Sequence, residues 1–227
     1  MCDYVHMFVS KKFMKVLTIA NRKGGAGKST CAAHLSLEAV KAGMKVILID
    51  MDPQKTLETW WQKRDEDNPF LTETNSKELL AVVEKLKLKE FDLCIIDTPG
   101  DASLNAVAGI EVSDLVLIPT KPTAPDLSAI GRTLAMMEEH NKKFFFTITQ
   151  GIVRAKATLQ AASVLSQFGA VAPSVISHRT SYASAMGQGT SASQSDKKAE
   201  EEFSLVWDFT KNQLFDLESK AKKKLVA

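Results

Sequence analysis

Lys28 and Ser29 close a glycine-rich run, Lys23-Gly24-Gly25-Ala26-Gly27-Lys28-Ser29-Thr30. That spacing suits phosphate. Glycines let the backbone curl until its N–H groups point inward at an anion. Lys28 would reach the β and γ phosphates, and the Ser29 hydroxyl would hold Mg²⁺. Thr30 would lie near the α-phosphate. Carboxylates elsewhere fit the same chemistry. Asp97 ends an apolar run, where a carboxylate is hard to place in a core but well placed to hold a metal-bound water. Asp50 and Asp52 have one residue between them and project to one side while a strand persists. Phosphoryl transfer to water needs charge neutralisation, a metal and an oriented water. These residues offer a candidate for each.

Such groups must be held by a scaffold, and the chain spells one. Short apolar runs predict strands at Lys15–Ala20, Lys45–Asp50, Leu93–Asp97, Leu115–Ile118 and Phe144–Thr149, with a weaker one near Ala170–Ile176. Helical patterns lie between them, at Ser29–Ala42, Gln54–Arg64, Lys77–Leu88, Leu127–His140 and Thr158–Phe168. Continuous apolar strands alternating with helices imply an α/β fold, a single-domain parallel sheet with helices on both faces. Right-handed crossovers then gather the loops at the strands' C-terminal edge, where such sheets bind ligands. The glycine loop opens a helix, whose N-terminus adds a positive dipole end. Asp52-Pro53 reads as a helix start, with Asp52 as N-cap and Pro53 at the first position. That role is compatible with chemistry at Asp52. Gly187 to Ser195 is small and polar and reads as a mobile loop. A charged helix follows, Asp196 to about Lys220, with Phe203, Val206, Trp207, Leu214 and Leu217 as its apolar positions.

Composition narrows the classes. A hydrophobic content of 44% suits one globular domain. A net charge of only +2 means that any nucleic-acid binding must come from a local patch. Cys2, Cys31 and Cys94 have no pairing or zinc spacing; Cys31 and Cys94 read as core residues in a reducing cytoplasm. The four histidines have no metal-ligand spacing, and His34 and His178 read as packing or surface residues. No stretch is apolar enough to span a membrane. Residues 1–14 read as a short disordered leader, and 220–227 as a basic tail.

The glycine loop departs from the usual phosphate-loop pattern, since Arg22 stands where the first glycine belongs and Lys23 is a second lysine. KGGAGKST resembles the deviant Walker A motif of the ParA/MinD ATPases. ILIDMDPQ (Ile47 to Gln54), FDLCIIDTPG (Phe91 to Gly100) and SDLVLIPTKPTAPDLSAIG (Ser113 to Gly131) resemble that family's later motifs, in order. The likeness runs from about Lys15 to Gly131, more weakly to Gly189, and is greatest to small plasmid-type ParA. It implies a P-loop-like ATPase domain over residues 15–219 with ATP and Mg²⁺ as cofactors. Gly24, Gly25, Ala26, Gly27, Lys28, Ser29 and Thr30 would bind the nucleotide, and Ser29, Asp50 and Asp97 would lie at the metal. Lys23, Lys28 and Asp52 would be catalytic, Lys23 reaching across an ATP-bound homodimer. Thr98-Pro99-Gly100 would be a switch loop sensing the γ-phosphate.

The implied role is DNA segregation, in plasmid or chromosome partition. An ATP dimer would bind duplex DNA non-specifically in the nucleoid, and a ParB-like centromere-binding protein or other cargo adaptor would stimulate hydrolysis and release. Arg154, Lys156, Arg179 and the lysine tail are the candidate DNA contacts. A MinD-like membrane-surface ATPase and a conjugation or cargo-positioning accessory ATPase are the alternatives. The last residues, Lys222 to Ala227, have almost no apolar face, so no stable membrane association is expected.

Overall fold

The structure, a computed structural model, describes residues 13–225, with side chains as far as Phe215. Residues 1–12 of the expected leader, Leu217 and the lysines of the tail lie outside the described residues or side chains; Met14, at the end of that leader, is instead buried in the core.

A seven-stranded sheet forms the centre: β1 (Lys15–Ile19), β2 (Val46–Asp50), β3 (Phe70–Thr72), β4 (Leu93–Asp97), β5 (Leu115–Thr120), β6 (Phe144–Gly151) and β7 (Ala170–Ser177). Its order is β3-β2-β4-β1-β5-β6-β7, with every pairing parallel. The helices are α1 (Lys28–Lys41), α2 (Thr56–Trp61), α3 (Leu79–Lys87), α4 (Leu104–Glu111), α5 (Ala124–Glu139), α6 (Lys156–Leu165), α7 (Thr180–Gln188) and α8 (Lys197–Leu225). This is the expected α/β sheet.

Alternation along each strand divides the core between two faces. Leu17, Leu48, Ile95, Leu117 and Phe145 pack with α1, α2, α7 and α8. Val16, Ile47, Cys94 and Ile96 pack with α3, while Val116, Ile118 and Phe146 pack with α4, α5 and α6. Both faces are covered, so the central strands read as unbroken apolar runs. Cys31 and Cys94 are buried, and burial pushes both thiols up. They are core residues, as expected.

Three elements, β3, α4 and α7, lie outside the expected set, and two expectations need correction. The strand β3 has only three residues, too few to show a period. Helix α4, LNAVAGIE, is only eight residues long and mixes alanine and glycine with its apolar residues, which hid its periodicity. The helix after Asp52-Pro53 begins later, at Thr56, with Lys55 at the N-cap in a left-handed conformation. Asp52 is therefore not the cap; its Oδ1 accepts the Gln54 amide at 2.9 Å in a tight turn ahead of the helix.

The segment from Gly187 to Ser195 is the second correction. It is the end of α7 followed by a short 3₁₀ turn, Ala192–Gln194. The Trp60 indole donates to the Thr190 carbonyl at 3.1 Å, and Arg64 and Lys63 reach the carbonyls of Gly189 and Gly187. A Cβ on Gly189 would meet the Lys63 backbone at 2.7 Å, so only glycine allows this approach. Polar composition signalled mobility, but the backbone groups are paired by α2 and the turn after it, over 120 residues earlier in the chain.

Candidate functional site

The loop between β1 and α1 sits at the middle of the sheet's C-terminal edge. Gly25 and Gly27 both have positive φ, 70° and 89°, which turns successive amides toward one side. Its outward carbonyls are held from β6. Thr149 Oγ1 donates to Ala26 O at 2.8 Å, and Gln150 Nε2 donates to Gly25 O at 2.9 Å. The loop is thus braced from behind with its donors facing an open cleft of about 600 Å³. That cleft is lined by Gly24, Gly25, Gly27, Lys28, Ser29, Thr30, Asp52, Pro99, Gly100, Asp101 and Gln150, among others. Ala26 lies beneath it, fully buried.

Lys28 is only 6% exposed and makes no ion pair among the described residues. Gly100 lies against it: a Cβ there would be 3.1 Å from the Gly24 Cα and 3.3 Å from the Lys28 Nζ. The segment Thr98-Pro99-Gly100 therefore touches the phosphate loop directly. The Thr98 hydroxyl anchors it to the Ile19 carbonyl at 2.9 Å.

Asp97 and Asp50 are register partners on β4 and β2. Both are buried, at 0% and 3% exposed. Asp50 is fully engaged: Oδ1 accepts the Asp52 amide and Oδ2 the Glu58 amide, each at 3.0 Å. Glu58 lies in the first turn of α2, so Asp50 supplies the capping that Lys55 lacks. Burial pushes the Asp50 carboxyl up, and the two amides hold it down in part. Neither oxygen of Asp97 has a hydrogen-bond partner of normal geometry among the described residues. Burial pushes its pKa up to about 8, with Ser29 pulling down and Asp50 adding to the rise. A buried carboxylate without donors, beside the Ser29 hydroxyl, fits a bound divalent cation or its water. Among the described residues there is no cluster of three His, Cys, Asp or Glu that could hold a metal by itself. A Mg²⁺ shared with phosphate needs fewer protein ligands, so the residues fit that ion.

A second, smaller cavity of about 220 Å³ adjoins the first through Gly27, Thr30 and Gln150. Cys31, Ile176, Arg179, Tyr182 and Ala183 line its far side. Ile176, Tyr182 and Ala183, with Thr149 and Gln150, escaped the sequence reading, and Arg179 was expected there only as a DNA contact. The one available signal was the rule that parallel strands deliver residues to a shared edge; no motif marks them.

A family model described as the CobQ/CobB/MinD/ParA nucleotide binding domain matches residues 17–190. The chain belongs to this family. Among ParA/MinD-type relatives, Protein ParA of Rhizobium radiobacter is 32% identical over 142 residues, covering 62% of this chain and 64% of that protein. Maintenance of carboxysome distribution protein A of Halothiobacillus neapolitanus is 28% identical over 191 residues, covering 78% and 86%. The chain thus spans just under two thirds of that ParA. Among solved structures, the MinD cell division protein of Aquifex aeolicus superposes with a TM-score of 0.74 at 18% identity, over 86% of this chain and 96% of that one. Apo McdA from Cyanothece gives 0.72 at 22% identity, over 86% and 98%. Both share the fold.

The ParA/MinD-type edge also positions the remaining candidates. Lys23 is exposed on the glycine loop. Arg154 and Lys156 are exposed after β6, and Arg154 shares an open groove with Arg179. Arg179 is not a free cation. Its guanidinium bonds Glu202 at 2.7 and 3.1 Å and lies 3.5 Å from Asp196. The Ser177 and Tyr182 hydroxyls also donate to Glu202, at 2.7 and 2.6 Å. Burial pushes Glu202 up, but these donors together hold it below the usual carboxylate range. The structure therefore brings Arg154 and Arg179 together without making a three-member basic face. Trp60 packs inward and Trp61 is partly exposed, as the helical pair suggested. His34 is a packing residue, stacked on Phe203 at 4.7 Å.

Proposed function

We propose that the chain is an ATPase that dimerises with ATP, binds duplex DNA non-specifically and is reset by partner-stimulated hydrolysis. The observation that carries this reading is the buried Lys28, without an ion pair among the described residues, under a braced glycine loop, with the buried Asp97 beside Ser29. The loop amides and Lys28 bind the phosphates. Ser29 and Asp97 hold Mg²⁺, which supplies charge neutralisation at the phosphates. Asp52 lines the cleft and orients the attacking water, while Asp50 keeps the turn that carries Asp52 in shape. The cavity bounded by Ile176 and Tyr182 takes the base. Lys23 reaches the phosphates of a second copy.

The cargo is DNA in partition, with a ParB-like adaptor, and the protein works on the nucleoid in the cytoplasm. A cargo-positioning role is the second reading; the similarity to a carboxysome distribution protein over most of both chains favours it. No helix among the described residues is long and apolar enough to cross a membrane.

Phosphate release by the purified chain with ATP and Mg²⁺, with and without duplex DNA, tests the reading. Slow turnover that vanishes in Lys28→Ala is expected. A gel shift that needs ATP and weakens steeply with salt is expected as well, because neutralised phosphates release counterions. Flotation with lipid vesicles and no DNA shift would replace the DNA reading with a membrane-surface one.

A further inference from the structure

Beside Lys23 and Lys28, a third lysine approaches the phosphate loop. Lys121 follows β5 directly, in the loop before α5. Its ammonium lies 3.5 Å from the point where a Cβ on Gly25 would stand. Gly25 has φ of 70°, and its carbonyl is drawn toward Gln150. The residue is thus approached from two sides at once: an amide from β6 on its oxygen and a cation from the loop after β5 where a side chain would stand. Lys121 is half-buried, and no ion pair or hydrogen bond occupies its ammonium among the described residues. The carboxylate nearest in its own segment, Asp126, is turned instead to the Thr123 hydroxyl.

A cation placed against a polypeptide backbone with no counter-charge is poorly used unless an anion arrives. The anion that the neighbouring amides select is phosphate. We propose that Lys121 is a further phosphate-binding residue, supplied by its own subunit, that favours a nucleoside triphosphate over a diphosphate. This rests on the reading of the cleft as a nucleotide site. Lys28 enters the cleft from beneath, from the first turn of α1. Lys121 comes from the loop after β5, beside Gly25 and outside the residues that line the cleft, and its flexible four-carbon stem lets its point charge swing to oxygens above the amides. The role differs from that of Lys23, which is delivered by the loop itself and is exposed toward a second copy. Lys121 would act before any dimer forms.

The test compares binding of a fluorescent, non-hydrolysable ATP analogue and of the matching ADP analogue, with Mg²⁺, at protein concentrations that keep the chain monomeric. Lys121→Gln is expected to weaken the triphosphate about tenfold and the diphosphate about threefold or less, a range consistent with one partly screened charge pair. The loss should shrink at high salt. Lys121→Arg should restore most of the preference. The unliganded melting temperature should not move, because the ammonium has no partner to lose. Equal triphosphate preference in wild type and Lys121→Gln, with binding still abolished in Lys28→Ala, overturns the assignment of Lys121 alone. A wild-type chain that binds neither analogue overturns the nucleotide reading with it.

Discussion

Asp97 and Asp50 stand in register on neighbouring strands, yet their surroundings assign them different tasks. Asp50 is saturated by two backbone amides and shapes the turn before α2. Asp97 has no donor of normal geometry, and its pKa of about 8 lies above the usual 3.8. The folded state therefore holds the proton more tightly than the unfolded chain. The stability this provides is complete below the unfolded value and is lost as pH rises toward 8. In nucleotide-free protein without Mg²⁺, Asp97→Asn is expected to raise stability at pH 8 by about 1–3 kcal/mol, the cost of an unsatisfied buried group. At pH 5 the gain should be much smaller. Urea unfolding at the two pH values checks this, and the same variant should lose hydrolysis. His34 runs the other way. Its Nδ1–H donates to Thr30 O at 2.9 Å and its Nε2 accepts the Ala192 amide at 3.2 Å, so the neutral ring fits both partners. Burial lowers its pKa from 6.5 to about 4. Stability is therefore complete above pH 6.5 and falls as pH drops through 4, by up to about 3 kcal/mol. His34→Phe should flatten the stability profile between those limits, whatever its absolute stability; an unchanged slope would assign the acid sensitivity elsewhere.

At the scale of elements, the stretch from α7 into the 3₁₀ turn ties the two helices that flank the site. It takes hydrogen bonds from α2 through Trp60 and from the turn after α2 through Lys63 and Arg64, and gives the Ala192 amide to α1 through His34. Gly189 permits this closeness, with φ of 72° and the Lys63 backbone 2.7 Å from where a Cβ would sit. Gly187, two residues earlier inside α7, has open space around it. We expect Gly189→Ala to cost about 1–3 kcal/mol through strain and displaced packing. Gly187→Ala should be neutral or gain up to about 1 kcal/mol through helix propensity. Denaturant midpoints of the two variants decide the matter. Equal midpoints would show that the α2 contacts yield without cost.

For the whole molecule, parallel topology collects the loops after β1, β2, β4, β5 and β6 at one edge. Lys23 is exposed there, while Lys28 and Asp97 are buried below it. On the proposed reading, that arrangement leaves each copy with a cation beyond its own phosphate needs, which would be available to a facing copy across a twofold axis. Sedimentation with ATP and Mg²⁺ should show a dimer in wild type and a monomer in Lys23→Ala, with nucleotide still bound. A dimer unchanged in Lys23→Ala would remove the cross-subunit role.

The phosphate loop was legible in the sequence because its geometry is local: glycines, lysine and serine at fixed spacing determine where consecutive amides point. The parallel sheet was legible for a related reason. Strands covered on both faces leave unbroken apolar runs, and helices between them leave no other pairing. Family membership followed from four motifs in order. What only the tertiary structure decided is non-local. Thr149 and Gln150 brace the loop from more than 120 residues away, and Lys121 arrives from another strand. Arg179 read as a spare cation until Glu202, on a helix 23 residues later, was seen to neutralise it. The segment from Gly187 to Ser195 read as mobile until α2 was seen to bind its carbonyls. In each case a side chain's chemistry was visible in the sequence, but its partner was not, because spacing along the chain does not encode which surfaces meet when helices fold back over a sheet.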